Sequence, residues 1–189
     1  MLRINLYGPP GSGKTTLATE LFCHLKKQGV NCEIVNELAR EWAYQNRPIQ
    51  SLDQIYLFAS QMHKEDTLLS RNKVDVIISD SPVYLNAFYG ILKNSKLSKG
   101  LQSLCRHFDL TYNSINFFCK LNNNYKFDQS GRHHKLEDSK KLQDVMLEEI
   151  GDYYRILLMN LNILDNDKNR LDQIMEVFNK ELFFHHNPT

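Results

Sequence analysis

Eight residues near the start of the chain, Gly8-Pro9-Pro10-Gly11-Ser12-Gly13-Lys14-Thr15, fit G-x-x-x-x-G-K-[ST], and no other feature limits the fold as strongly. Three glycines let the backbone curl so that successive N–H groups point inward at the phosphates of a nucleotide. The helix that follows adds its N-terminal dipole to the same anion site. Lys14 then reaches the outer phosphates, and the Thr15 hydroxyl is placed to ligate Mg²⁺. The context agrees on both sides. Leu2 to Tyr7 alternates apolar and polar residues and reads as a short strand, and Leu17, Leu21 and Leu25 mark one face of a helix. Gly8, Gly11, Ser12, Gly13, Lys14, Thr15 and Thr16 are thus expected to bind a nucleoside triphosphate, with ATP and Mg²⁺ as the ligands.

The remaining pattern alternates strands with helices. Gly29 supplies a C-cap, and Val30 to Val35 predicts a second strand. A helical segment opens at Asn36 and stops before Pro48. Ser51 and Gln54 form a capping-box pattern ahead of a helix reaching about Ser70, with Ile55, Ala59, Met62 and Leu69 as its core-facing stripe. Gln54, Phe58, Gln61 and Glu65 stack beside it, and a polar stripe of this kind is ordinarily a wet face. Val74 to Asp80 is a nearly continuous apolar run, the pattern of a doubly covered parallel strand. Ser81 and Pro82 suit the start of a helix carrying Tyr84, Leu85, Phe88 and Tyr89. A short helix follows around Leu101 to Phe108, then a fourth strand from Ser114 to Leu121. Asn122 to Lys135 is the least core-like stretch. Asp138 caps a helix burying Leu142, Val145, Met146 and Ile150. Tyr153 to Leu161 reads as a fifth strand, and a last helix runs from Asp167 to Phe184.

These elements predict one α/β domain over residues 1–189, a five-stranded, mainly parallel sheet with helices on both faces and a lid at about 122–137. Ligands of such sheets lie beyond the C-terminal strand ends, where the glycine loop, Glu37 and Asp80 all fall. Asp80 is the natural partner of the metal's water shell, or the acceptor of a proton from an attacking hydroxyl. Glu37 is a second candidate base or acceptor-hydroxyl contact. Arg40, one turn on, suits either an acceptor phosphate or a surface ion pair. Arg132 suits a lid arginine that swings over the triphosphate. Trp42 reads as packing. His133-His134 and His185-His186 lack the spacing of a zinc site.

With 23 Lys and Arg against 22 Asp and Glu, the net charge is +1, which speaks against a DNA track. The cysteines Cys23, Cys32, Cys105 and Cys119 show no C-x-x-C spacing and read as reduced thiols. No apolar run reaches membrane-spanning length. The early glycine loop leaves no room for a signal peptide, so the expectation is a cytoplasmic protein.

The chain resembles the small AAA-type P-loop family common in bacteriophages, related to the ribosylnicotinamide kinase domain of the bifunctional NAD-biosynthesis regulator. The resemblance covers nearly the whole chain. It is carried by Gly8 to Thr16, Glu37 to Trp42, the Gln61-x-x-x-Glu65 pair, Asp80-Ser81-Pro82, and Gly131-Arg132 ahead of a helix. It implies a nucleoside- or nucleotide-kinase fold, metal and catalytic duty for Asp80, and a lid role for Arg132. It also implies acceptor contact for Glu37 and Arg40, and adds Gln61 and Glu65 as substrate-contact candidates. Thymidylate-type kinases follow the third-strand Asp with an Arg that grips the acceptor's phosphate, whereas Ser81 and Pro82 stand here. That departure favours a nucleoside-like hydroxyl over a nucleotide. Two other readings stay open: a kinase acting on a base hydroxyl or an end of DNA, and an NTP-hydrolysing switch.

Overall fold

A computed structural model describes residues 1–50, 52–93, 95–122 and 136–186. Its core is a five-stranded sheet in the order β2-β3-β1-β4-β5, built from β1 (Leu2–Tyr7), β2 (Cys32–Val35), β3 (Val76–Asp80), β4 (Ser114–Cys119) and β5 (Leu161–Leu164). Every pairing is parallel. The helices are α1 (Lys14–Lys27), α2 (Leu38–Tyr44), α3 (Asp53–Leu69), α4 (Val83–Lys93), α5 (Ser98–Thr111), α6 (Leu136–Ile156) and α7 (Arg170–His186). Leu2, Ile4 and Leu6 of β1 pack with α1 and α7 on one face. Tyr7 packs on the opposite face with residues of α3, α4, α5 and α6. Because both faces are covered, the polar residues that alternate along β1 are buried too.

That second face carries an ionic cluster. Arg3 is fully buried, donating to Asp109 and, at 3.5 Å, to Glu65. Tyr153 donates to the other oxygen of Asp109 at 2.7 Å, and the Gln61 amide donates to Glu65 at 2.9 Å. Burial opposes the guanidinium charge, but the two carboxylates outweigh it and push the Arg3 pKa up. The expected wet stripe of α3 is therefore the buried one. Gln54, Leu57, Phe58, Gln61, Glu65 and Leu69 face inward, Ala59 is exposed, and Ile55 and Met62 are only half-buried. A buried arginine on β1 turns the polar face of α3 toward the sheet.

Four helices end in the same way. The N–H groups of Gly29, Asn46, Asn72 and Leu158, all at positive φ, donate to carbonyls three residues back. The following residue in each case reaches five back, which is a Schellman cap. Gly and Asn accept this conformation readily, but Leu158 does so at steric cost and is almost wholly exposed. That unmarked stop displaces the fifth strand from the expected position. Tyr153 and Tyr154 belong to α6, where they continue the buried series Met146 and Ile150, and β5 begins only at Leu161. Asp138 lies inside the first turn of α6 and so is not its cap. Ser51 and the segment 123–135, with Arg132, lie outside the described residues.

Arg3→Met is expected to leave Asp109 and Glu65 buried without their cation, costing about 3–5 kcal/mol. Urea unfolding with an unchanged m-value checks this. A loss under about 1 kcal/mol would mean that the cluster does not depend on the Arg3 charge.

Candidate functional site

The parallel register brings Leu6 of β1 opposite Asp80 of β3, and Tyr7 opposite Phe118 of β4, so three strands end abreast. The chain leaves this edge through Gly8, whose φ is 137°. A Cβ at Gly8 would lie 2.2 Å from the Cys119 carbonyl oxygen and 2.9 Å from Ser12 Oγ, so only glycine fits. Gly11 and Gly13 follow at φ 85° and 88°. Gly13 is the N-cap of α1 and offers no side-chain cap, and no acid stands in the first turn. The N–H groups there keep their positive end for an anion.

Around this loop lies a cavity of about 920 Å³. Lys14 Nζ donates to the carbonyls of Gly8 at 2.8 Å and Pro9 at 3.1 Å. Thr15 Oγ1 donates to Asp80 Oδ2 at 2.5 Å and accepts from Arg40 Nη1 at 2.9 Å. Arg40 is therefore turned to the P-loop threonine rather than to a surface acid. Glu37, at the N-cap of α2, also faces the cavity, and Ser81 Oγ donates to its Oε2 at 3.0 Å. The Ser81 hydroxyl is thus spent on Glu37, and it is the Pro82 carbonyl that accepts the first helical bond of α4, from Leu85 and Asn86. Ser81 itself sits at φ 75°, a strained position for a side chain with a Cβ. Asn86 steadies it by donating to the Ser81 carbonyl at 3.3 Å, and Gln54 in turn donates to the Asn86 carbonyl at 3.1 Å. Two carboxylates, Glu37 and Asp80, thus line the same cavity as Leu85 and Tyr89 of α4.

The structure brings Gly11, Gly13, Lys14, Thr15, Thr16, Glu37, Arg40 and Asp80 to this one cavity. Gly8 and Ser12 shape the loop from behind. Gln61 and Glu65 do not line the cavity and belong to the buried Arg3 cluster instead. Sequence reasoning missed another part of the lining, Asn166, Lys168 and Asn169 between β5 and α7 with Arg170 at the start of α7. The available signal was a polar Asn-x-x-Asn-Arg run directly before an amphipathic helix.

Burial holds the Glu37 carboxyl above its ordinary value of 4.5; Lys14, Ser81 and Arg40 pull it down, and Asp80 pushes it further up. A carboxyl whose folded-state pKa is raised binds its proton more tightly folded than unfolded. Stability therefore falls as pH climbs from about 4.5 through the folded value. Glu37→Gln keeps the acceptor for Ser81 but removes the charge. It is expected to melt higher than wild type at neutral pH, with the gap closing below about pH 4.5. Thermal unfolding against pH checks this. A variant that melts lower at neutral pH would mark the carboxylate as a structural anchor.

The same fold occurs in deoxyadenosine kinase from M. mycoides, solved with products dCMP and dCDP (TM-score 0.56, 16% identity, covering 94% of this chain and 99% of that one). It occurs also in shikimate kinase from Acinetobacter baumannii with shikimate bound (TM-score 0.53, 13% identity, 99% and 95% covered). In sequence, the chain is 33% identical to RecA of Marinobacter nauticus over 84 residues, which cover 41% of this chain and 24% of RecA. It thus spans about a quarter of the length of the curated relatives it matches. Residues 3–165 match the AAA_28 family, an AAA domain. The chain belongs to this family of P-loop domains.

Proposed function

We propose that this protein is a kinase that transfers the γ-phosphoryl group of ATP to a hydroxyl of a nucleoside-like or nucleotide small molecule. The observation that carries this reading is the Glu37 carboxylate, raised in pKa and held by Ser81, in the same cavity as the Lys14–Thr15 loop end and Asp80. A P-loop needs no second carboxylate to bind a nucleotide, but phosphoryl transfer to a hydroxyl needs a group to take its proton. The fold shared with a deoxyadenosine kinase and a shikimate kinase supports the same reading.

In this mechanism Lys14 leaves the Gly8 and Pro9 carbonyls for the outer phosphates. The first-turn N–H groups of α1 hold the inner ones. Thr15 Oγ1 and Asp80 Oδ2 converge as hard oxygen donors, a set that fits Mg²⁺ with most of its water shell retained. When bound, the ion neutralises charge on the phosphate oxygens. Arg40 gives up the Thr15 hydroxyl and adds its charge at the same end. Glu37 takes the proton as the acceptor oxygen forms its new bond to phosphorus and ADP departs. Leu85 and Tyr89 line the same cavity as Glu37 and supply side chains for the acceptor to pack against.

The test is a screen of nucleosides, nucleotides and oligonucleotides for acceptor-dependent ADP release. Release that is equally fast without any acceptor would replace the kinase with an NTP-driven switch. Lys14→Ala is expected to abolish turnover in a folded protein. Asp80→Asn is expected to lower kcat by about a hundredfold or more while weakening ATP binding much less. If kcat survives and only the melting temperature falls, Asp80 only anchors Thr15 and is not part of the chemistry.

A further inference from the structure

Among the described residues two arginines are buried, and they are treated in opposite ways. Arg3 meets two carboxylates. Arg170, at the start of α7 and only 8% exposed, donates to three neutral oxygens: the Ser12 carbonyl at 2.6 Å, the Lys120 carbonyl at 2.6 Å, and the Asn166 side chain. Among the described residues no carboxylate pairs with it, and its Nε has no hydrogen-bond partner. A buried charge without a counter-ion is costly, and here it stands at the wall of the cavity.

Its place is specific. Arg170 Nη1 would stand 3.5 Å from a Cβ built on Gly13, directly behind the P-loop. In a trans peptide the C=O and N–H point to opposite sides. The Ser12 carbonyl faces Arg170, so the N–H of the same peptide, which belongs to Gly13, is directed away from it. A cation on the oxygen of an amide strengthens its N–H as a donor, because linked hydrogen bonds polarise one another. The Asn166 side chain holds the other side of the clasp, donating to the Leu121 carbonyl at 2.8 Å. One guanidinium thereby ties the P-loop, the end of β4 and the start of α7 together.

We infer that Arg170 is a positioning residue of the triphosphate site: from behind the P-loop its guanidinium polarises the Ser12–Gly13 peptide toward bound phosphate, and the ligand supplies the missing counter-charge. This rests on the nucleotide-binding half of the proposed function. It predicts that Arg170 acts on affinity for phosphates and not on the acceptor.

The experiment is titration calorimetry with ADP and with a non-hydrolysable ATP analogue, on wild type, Arg170→Gln and Arg170→Lys, alongside acceptor KM. Hydrogen bonds from a charged donor set the scale, so Arg170→Gln is expected to weaken both nucleotides by about tenfold to a hundredfold. Acceptor KM is expected to stay within about twofold. Arg170→Lys should recover part of the loss, since a point charge reaches one carbonyl at a time. The amide proton of Gly13, followed by NMR without ligand, should move upfield in both variants as polarisation is lost. Should Arg170→Gln fail to fold, Arg170→Lys and its Gly13 shift carry the test. Unchanged ADP affinity with an unchanged Gly13 shift, in a variant whose wild-type parent binds ADP, would overturn the role of Arg170. A wild type that binds neither nucleotide would remove the triphosphate site itself.

Discussion

The path of the chain out of β1 governs the rest of the site. At Gly8 the backbone passes so close to the Cys119 carbonyl that no side chain can be admitted. This closeness is possible because β1 lies between β3 and β4, with all three strands parallel and ending abreast. The loop that follows is then held against β4 behind it and open toward α1 in front. Asp80 comes from β3, Arg170 from beyond β5, and both meet the loop only because the sheet order folds them inward. Parallel order concentrates strand ends on one edge, and the site occupies that edge.

Two kinds of buried charge divide the molecule. On the face behind the sheet, Arg3 is closed off with Glu65 and Asp109, and the charges are compensated internally. Such a cluster costs desolvation, but it also limits how α3 and α5 can sit on the sheet, since each carboxylate must reach one guanidinium. At the open edge the balance differs. Glu37 is buried beside Asp80, which disfavours its charge further, and Lys14, Ser81 and Arg40 offset this only in part. Ser81 is held in a left-handed conformation beside them by hydrogen bonds from Asn86, itself tied to Gln54. Strain and uncompensated charge gathered at one edge fit a site that completes itself with a ligand.

The expectations that held rest on local chemistry. The glycine loop needs its own residues in its own order, and its flanking strand and helix follow from short-range periodicity. Gly29 ends α1 because glycine accepts positive φ, and that too is visible in one residue. Asp80 was legible because an acid closing an apolar run is conspicuous. Where several residues far apart in the chain must agree, the local signal failed. The stripe of α3 carrying Gln61 and Glu65 looked wet because nothing nearby in sequence announces Arg3, which lies 62 positions from Glu65. Tyr153 and Tyr154 looked like strand residues because Leu158, the true helix stop, carries no mark of the conformation it adopts.

By itself, then, the sequence determined a P-loop between a strand and a helix, an alternating α/β chain, and two carboxylates at strand ends. These follow from backbone sterics and hydrophobic period, which act over a few residues. Only the tertiary structure decided which partner each charge would take. It turned Arg40 to Thr15, withdrew Glu65 to Arg3, bound Ser81 to Glu37, and set Arg170 behind Ser12, 158 residues away in the chain. The reason is physical: a buried charge is stable only beside particular atoms, and which atoms arrive there is settled by the order of strands in the sheet.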